Sequence, residues 1–515
     1  MPSLAAPSFA AMGRLIGVGW ALVRADALLP REIHEHLPPS ARLAANLLRM
    51  PAGGRSRQGR PGERLARVLE REGPAAIKLG QFLATRADIF GGQFADDLAH
   101  LKDRLEPFPT AEARAEVERA LGRPVESLFA EFGGPVAAAS LAQAHEARLL
   151  DGRKVAVKVL RPGVELKVAR DSAVLRLVAG LVETLVPPAR RLEPRAFVET
   201  VIRALELELD LRFEAAGADE LREVMARDAF MAAPAIVWDG VARRVLTQEW
   251  AGGRPLSDPE ALYALPAPAD PAVAPPAFDR RALADNLIRA FLAQALDHGV
   301  FHADLHEGNL FAAPPAGLTA VDFGIVGRLG PMERRFLAEI LYGFLTRDYA
   351  RVAEVHFEAG YVPAHHDRAA FAQALRAVGE PVFGRAASQV SMSRLLAQLF
   401  EITALFDMRL RPELVLLQKT MVTVEGVARR IDPDHDLWAA ADPVVRRWIA
   451  RELSPAARMR ELAGEVRRAA KAIVRLAEAP APVVVAVEES PSKALWFAVG
   501  AAVAGVAFLA AVVLF

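Results

Sequence analysis

Two hydrophobic periods alternate along the chain, and the change from one to the other marks its parts. Up to residue 50 the apolar positions recur at helical spacing, broken at Pro30, Pro38 and Pro39. Pro51 to Gly62 is rich in Gly, Arg and Pro and reads as a linker. Helical spacing resumes over residues 63–72, and Gly73-Pro74 opens a second helix over 75–86. Gly80 inside that helix costs about 1 kcal/mol against Ala, a cost that close approach to another backbone would explain. A third helix is expected over 110–121. The pattern then shifts to strand period. Val136 to His145 leads to an Asp151-Gly152 hairpin turn, and a strand follows over 155–160. Residues 206–214 read as helix and 246–250 as a short strand ending in a Gly252-Gly253 hinge. Residues 255–278, rich in Pro and Ala, form a surface excursion. A strong helix is expected over 280–298, and helices again from Pro331 to about Leu476, with no internal repeat.

The last stretch differs from all of these. Residues 495–515 are 21 positions without a charge, and at about 1.5 Å per residue they span roughly 30 Å, the hydrocarbon thickness of a bilayer. Lys493 and, further upstream, Arg467, Arg468, Lys471 and Arg475 flank the run on one side. Basic flanks stay cytoplasmic, so the expectation is a tail anchor with the globular part in the cytosol. The opposite end lacks a basic n-region and Arg14 interrupts its apolar run, so no secretory signal is expected.

Composition adds exclusions. The 515 residues carry 63 basic and 63 acidic side chains. Zero net charge gives no electrostatic footprint for nucleic acid. With no cysteine, disulfides and thiolate metal sites are excluded. The length allows two or three domains and a full core.

The candidate chemistry lies in His302-Ala303-Asp304-Leu305-His306-Glu307-Gly308-Asn309, followed by Asp322-Phe323-Gly324. An Asp with an Asn five residues on, then Asp-Phe-Gly, is the order used for phosphoryl transfer: one acid near the nucleophile, then an amide and an acid for Mg²⁺. Lys158 sits in an apolar strand, where an unpaired charge is expensive; in kinases this lysine holds the α- and β-phosphates and an acid on the next helix. The hairpin before it should lie over the phosphates. Its residues Ala137, Ala138, Ala139 and Ser140 replace the usual glycines, and methyl groups restrict how closely backbone approaches an anion. Glu249 and Trp250, at the hinge, are expected to line the nucleotide. Glu206, Asp210 and Glu214 are spaced by four, and acids stacked on one helix face call for cations or a metal. Lys78 and Gln81 share a helix face. For these last two sets, spacing alone fits a solvated polar face as well as a functional one. The stretch after Asp322 is short, has no Ala-Pro-Glu, and holds no Ser, Thr or Tyr before Glu333, so the platform for a polypeptide substrate is missing.

Taken together these residues resemble the UbiB family of atypical kinase-like proteins, associated with coenzyme Q (ubiquinone) biosynthesis. The likeness runs from about Glu63 to Asp436. It rests on Lys78-Leu79-Gly80-Gln81 as K-x-G-Q, the alanine-rich loop, the strand lysine, Glu208-Leu209-Asp210 as E-x-D, and the 302–309 and Asp322 loops. Leu305 and Glu307 stand where many relatives have proline, and one span is evident where bacterial members often have two. The resemblance implies an α+β, two-lobed protein-kinase-like fold with an N-terminal helical extension and a C-terminal transmembrane helix. The parts would be 1–62 (helices and linker), 63–125 (extension), 126–254 (N-lobe), 255–440 (C-lobe), 441–493 (helices and linker) and 494–515 (anchor). It implies ATP and Mg²⁺ as cofactors. Lys158 would hold phosphates, supported by Glu214; Asn309 and Asp322 would bind the metal; Asp304 would orient or deprotonate the acceptor, water included. His302 and His306 would brace the loop. Lys78, Gln81, Glu208 and Asp210 would be regulatory, the K-x-G-Q helix covering the substrate face and its lysine meeting the E-x-D acid. Implied partners are quinone precursors or other membrane lipids, and quinone-biosynthesis enzymes; a homodimer stays open. Three classes compete: an ATPase or small-molecule kinase, a nucleotide-gated scaffold, and a protein kinase.

Overall fold

The computed structural model describes residues 59–84, 92–99, 106–185, 193–258, 277–383 and 412–452, with isolated positions 17, 21, 101, 402 and 405–408. Three helices open the described chain: α1 (Pro61–Glu72), α2 (Pro74–Ala84) and α3 (Gly92–Ala99). Leu69, Leu98 and Leu101 form their shared core. The close approach expected at Gly80 is made by side chains, not by another backbone. A Cβ there would overlap Leu101 Cδ1 and come within 2.7 Å of Leu69 Cδ1.

Helix α4 (Thr110–Leu121) ends where Gly122 takes φ 68° and returns its N–H to the Glu118 carbonyl, the left-handed stop that favours glycine. A four-stranded antiparallel sheet follows, in the order β1 (Phe129–Ala138), β2 (Ala142–Leu149), β3 (Lys154–Leu160), β4 (Val245–Glu249). Val155, Val157 and Val159 are fully buried on one face of β3, against Val117, Phe129 and Val245. Each such valine contributes about 1.5–3 kcal/mol. The alternation puts Lys158 on the other face.

Between β3 and β4 lie α5 (Val164–Leu185), α6 (Pro194–Glu208) and α7 (Leu211–Asp228). The helix expected through 206–214 is thus two helices. Asp210 takes the extended conformation and its side chain caps α7 by accepting from the Arg212 N–H at 3.2 Å. A short acid that bonds its own backbone competes with helix continuation, and the stacking of Glu206, Asp210 and Glu214 on one face dissolves. Leu79 and Phe82 of α2 pack on the cluster formed by Leu141, Leu160, Leu205, Leu209 and Leu211. This seats α2 against the root of the β1–β2 turn and against the α6–α7 bend.

The second part is mainly helical. After β5 (Arg254–Pro255), α8 (Arg280–Ala293) is capped by Asp279, which accepts from the Ala282 N–H at 2.9 Å. It runs into a π turn over Gln294–His298 and stops at Gly299, with φ 69°. Three short strands and one partner build the loops: β6 (Val300–His302), β7 (Leu310–Ala313), β8 (Gly317–Ala320) and β9 (Val326–Arg328), with β6 paired to β9 and β7 to β8. Helices α9 (Pro331–Thr346), α10 (Tyr349–Glu358), α11 (Arg368–Phe383), α12 (Pro412–Ile431) and α13 (Leu437–Glu452) complete it. Among the described residues no helix is long and apolar enough to cross a membrane. The apolar run 495–515, expected as an anchor, lies outside them, as do residues 1–16 and most of the 255–278 excursion.

Candidate functional site

Lys158 leaves β3 on the face away from the valine core and meets two carboxylates. Its Nζ lies 2.7 Å from Glu214 Oε1, on the first turn of α7, and 3.1 Å from Asp322 Oδ1. Burial opposes the ammonium charge, but Asp322 and Glu214 outweigh it and hold the lysine above its ordinary pKa. The two acids respond in opposite directions. Burial pushes Glu214 up to about 7 against the pull of Lys158, and the Asp322 charge adds to the rise. The Lys158 ammonium holds Asp322 down to about 2, burial opposing. Glu214 is nearer the cation, yet its side chain is 11% exposed against 49% for Asp322. Desolvation therefore decides which acid carries the charge more readily.

The catalytic-loop pattern starts at the end of β6. His302, fully buried, donates from Nε2 to the Val321 carbonyl at 3.1 Å and accepts at Nδ1 from the Asp304 N–H at 3.1 Å. Burial lowers its pKa, so it stays neutral in this tautomer. His306 Nδ1 accepts from the Gly308 N–H at 3.0 Å, and its Nε2 lies 3.8 Å from Asp304 Oδ2. Both histidines thus brace the loop. Asn309 donates from Nδ2 to the Asp304 carbonyl at 3.1 Å, and its own carbonyl accepts from the Val321 N–H at 2.9 Å. Asp322, one residue on, has φ 60°, a left-handed geometry that Asp tolerates better than most residues. Lys158 and Asp322 are thus in contact, and Asn309 is tied through its backbone to Val321, the residue before Asp322.

The oxygens here suit a hard cation. Asn309 spends its Nδ2 on Asp304, which leaves Oδ1, and Asp322 meets Lys158 and the Gly324 N–H through Oδ1, which leaves Oδ2. Carboxylate and amide oxygens are the ligands Mg²⁺ takes, so the residues fit that ion.

The alanine-rich segment lies two strands from the lysine. Ala137 pairs with Ala144, which pairs with Lys158, so all three occupy one row and one face of the sheet. Ala138 pairs with Gln143. Ala139 closes the turn by donating to the Ala142 carbonyl at 2.8 Å, while its own carbonyl accepts from Arg161 Nε at 2.9 Å. Ser140 is buried. Behind the turn, Gln143 bonds both backbone groups of Phe108 at 2.9 and 3.0 Å and meets His145 Nε2 at 2.7 Å.

At the hinge the two expected residues face differently. Glu249 lies opposite Val155, on the face that Lys158 does not share, and its carboxylate accepts from Arg153 at 2.9 Å. Strand alternation turns its side chain away from the site, leaving only its backbone there. Trp250, one residue beyond β4, donates its N–H to the Lys154 carbonyl at 3.0 Å and carries the Lys154 ammonium over its ring, 4.0 Å from the centroid.

Of the K-x-G-Q and E-x-D residues, Lys78 pairs with Glu208. Asp210 pairs instead with Arg212, at 2.6 Å. Gln81 lies one turn along α2 from Lys78, half-buried. Two residues escaped the sequence reading. Ala156 is two positions before Lys158 and on its face, which period-two counting from the lysine would have found. Lys419, on α12, lies 3.6 Å from Asp304 Oδ1, and no spacing rule links positions so far apart.

Comparison with known proteins adds likeness of sequence and fold. Residues 100–356 match the model of the ABC1 atypical kinase-like domain, and residues 375–436 that of the UbiB helical domain. A protein of Marinobacter nauticus named "Probable protein kinase UbiB" is 39% identical over 406 residues, covering 78% of this chain and 72% of the relative. One of the same name from Xylella fastidiosa strain M12 is 40% identical over 408 residues, with the same coverage. Among solved structures, the Rv3197–erythromycin complex of Mycobacterium tuberculosis superimposes with a TM-score of 0.53 at 22% identity, over 79% of this chain and 98% of that one. At that identity the likeness speaks for the kinase-like fold alone.

Proposed function

Because the chain belongs to the UbiB family of atypical kinase-like proteins, we propose that it binds ATP with Mg²⁺ and transfers the γ-phosphoryl group to water or a small or lipid-like acceptor. In this way it would support ubiquinone biosynthesis at the bacterial inner membrane. The observation that carries the reading is Lys158 held at 2.7 Å by Glu214 and at 3.1 Å by Asp322, beside a loop that fixes Asp304 and Asn309 together.

Each residue has a task in that reaction. Lys158 binds the α- and β-phosphates while Glu214 keeps the ammonium in place. Asn309 and Asp322 would hold Mg²⁺, which when bound neutralises charge on the β- and γ-phosphoryl oxygens. Asp304 takes the proton of the acceptor hydroxyl as the acceptor oxygen bonds to the γ-phosphorus; the bond from that phosphorus to the β,γ-bridging oxygen breaks and ADP leaves with the electron pair. Positioning and electrostatics supply most of the rate in such transfers. The alanine-rich turn would cover the phosphates, and Trp250 and Ala156 would flank the base.

The acceptor class follows from what is missing after Asp322. Eight residues, three of them in β9, separate it from α9, which leaves no bed for a polypeptide. Quinone precursors dissolved in the bilayer are within reach if residues 495–515 anchor the chain there, and quinone-biosynthesis enzymes are the partners such a location suggests. The test is Asp304→Asn. Phosphate release should fall at least about 100-fold, while nucleotide affinity stays within a few-fold. Unchanged turnover in Asp304→Asn would remove the reading. Complementation of a quinone-deficient strain by that same inactive variant would favour a nucleotide-gated scaffold instead.

A further inference from the structure

Asp304 has a neighbour that the kinase pattern does not provide. Lys419 Nζ, on α12, lies 3.6 Å from Asp304 Oδ1, while His306 Nε2 lies 3.8 Å from Oδ2. Helix α12 belongs to the region matching the UbiB helical domain, outside the kinase-like match. Its seat on the loop is fixed at two further points. The hydroxyl of Thr420, 1% exposed, reaches the Ala303 carbonyl at 3.0 Å, and Arg430 pairs with Glu307 at 2.8 Å. The contacts fall on Ala303, Asp304 and Glu307, within the Asp304–Asn309 loop or next to it.

We propose that Lys419 is a positioning residue for phosphoryl transfer: it holds one oxygen of the Asp304 carboxylate so that the other is presented to the acceptor. The inference rests on the reading of Asp304 given above and deepens it, by making the helical region part of the active site. The geometry gives such a tether a task. The Asp304 backbone is bound within its loop, its N–H to His302 and its carbonyl to Asn309 and His306, and its carboxylate meets His306 Nε2 there at 3.8 Å from Oδ2. Without Lys419 the carboxylate keeps the long His306 contact and turns more freely about its last torsion, which is broad and two-fold for Asp. Lys419 is 39% exposed at the side chain, so solvent screens the pair and the gain is orientation rather than binding energy. The long aliphatic stem carries the charge into the loop from a helix that Thr420 has already fixed. Misplacing a reacting group by about 1 Å costs on the order of 100-fold in rate.

The test is a kinetic comparison of wild type, Lys419→Met and Lys419→Arg in the full-length protein, with ATP and Mg²⁺. Expected for Lys419→Met is a kcat for phosphate release about 10–100-fold lower, with KM for ATP and directly measured nucleotide Kd within about threefold of wild type. Lys419→Arg should recover most of the rate. Because the side chain is half exposed, both variants should melt near the wild-type temperature. Wild-type turnover with Lys419→Met within twofold of it overturns this inference alone. So does a loss of rate matched by an equal loss of nucleotide affinity, or no recovery by Arg, either of which makes the role structural. Nucleotide binding without any turnover by wild type overturns the proposed reaction and this inference together.

Discussion

At the scale of single residues, the same burial that tunes Glu214 acts on a histidine with no part in the chemistry. His356, on α10, donates from Nδ1 to the Val352 carbonyl at 2.7 Å and packs its ring on Phe371, 5.3 Å between centroids. Burial pushes its pKa down to about 4, the hydrogen bond opposing. An unfolded chain has an ordinary histidine near 6.5 and so takes the proton first as pH falls. The stability tied to the neutral ring is complete above pH 7 and is lost between about 6.5 and 4. At pH 5.5 the loss amounts to about 1.4 kcal/mol. His356→Phe should flatten that part of the profile. Denaturant midpoints of wild type and variant at pH 7.5 and 5.5 measure the difference, and parallel declines in the two proteins would assign the slope to other groups. None of this was legible beforehand, because burial of one histidine among eleven leaves no trace in local spacing.

Elements were more legible, and the exceptions share a cause. Helix α4 fell at its expected bounds because Pro109 and Gly122 punctuate it, and the strand of Lys158 because its valines alternate. The run 206–214 misled because its residues all suit a helix. The break comes from Asp210, whose side chain accepts from the Arg212 N–H and caps α7, while Leu205, Leu209 and Leu211 on either side of the bend share one core. Gly80 misled more mildly. Its meaning depends on Leu69 and Leu101, the latter on a connection that periodicity could not place. Gly80→Ala sets a propensity gain of about 1 kcal/mol against overpacking of about 1–3 kcal/mol in a core of two buried leucines. The expected result is a net loss of about 1 kcal/mol, confined to α1–α3 and visible as faster hydrogen exchange there. A slower-exchanging Gly80→Ala would show that the leucines yield freely.

For the whole molecule, the sequence made the kinase-like plan and the three central side chains readable because local motifs carry them. What it could not show is contact between distant parts. Lys419 reaches Asp304, Arg447 and Arg451 reach Asp297 at 3.0 and 2.8 Å, and Arg328 grips Glu220. Each closes a loop of a hundred residues or more, which no window samples. Location in the cell belongs to this scale as well. Deleting 495–515 should move the protein from the membrane pellet to the supernatant on fractionation; full retention in the pellet would place the anchor elsewhere.

The stretch from Phe323 to Gly330 has a consequence for control. Val326 to Arg328 are laced to β6, Leu329 donates to the Gly299 carbonyl at 2.8 Å, and Phe323 is buried beside His302. A segment that becomes ordered only when its ligand arrives weakens affinity by the scarcity of its competent form. Here the stretch is bound along its length by those contacts, and it carries no hydroxyl to phosphorylate. Control by phosphorylation of this stretch is therefore closed, and a regulator would have to act through other surfaces around the site.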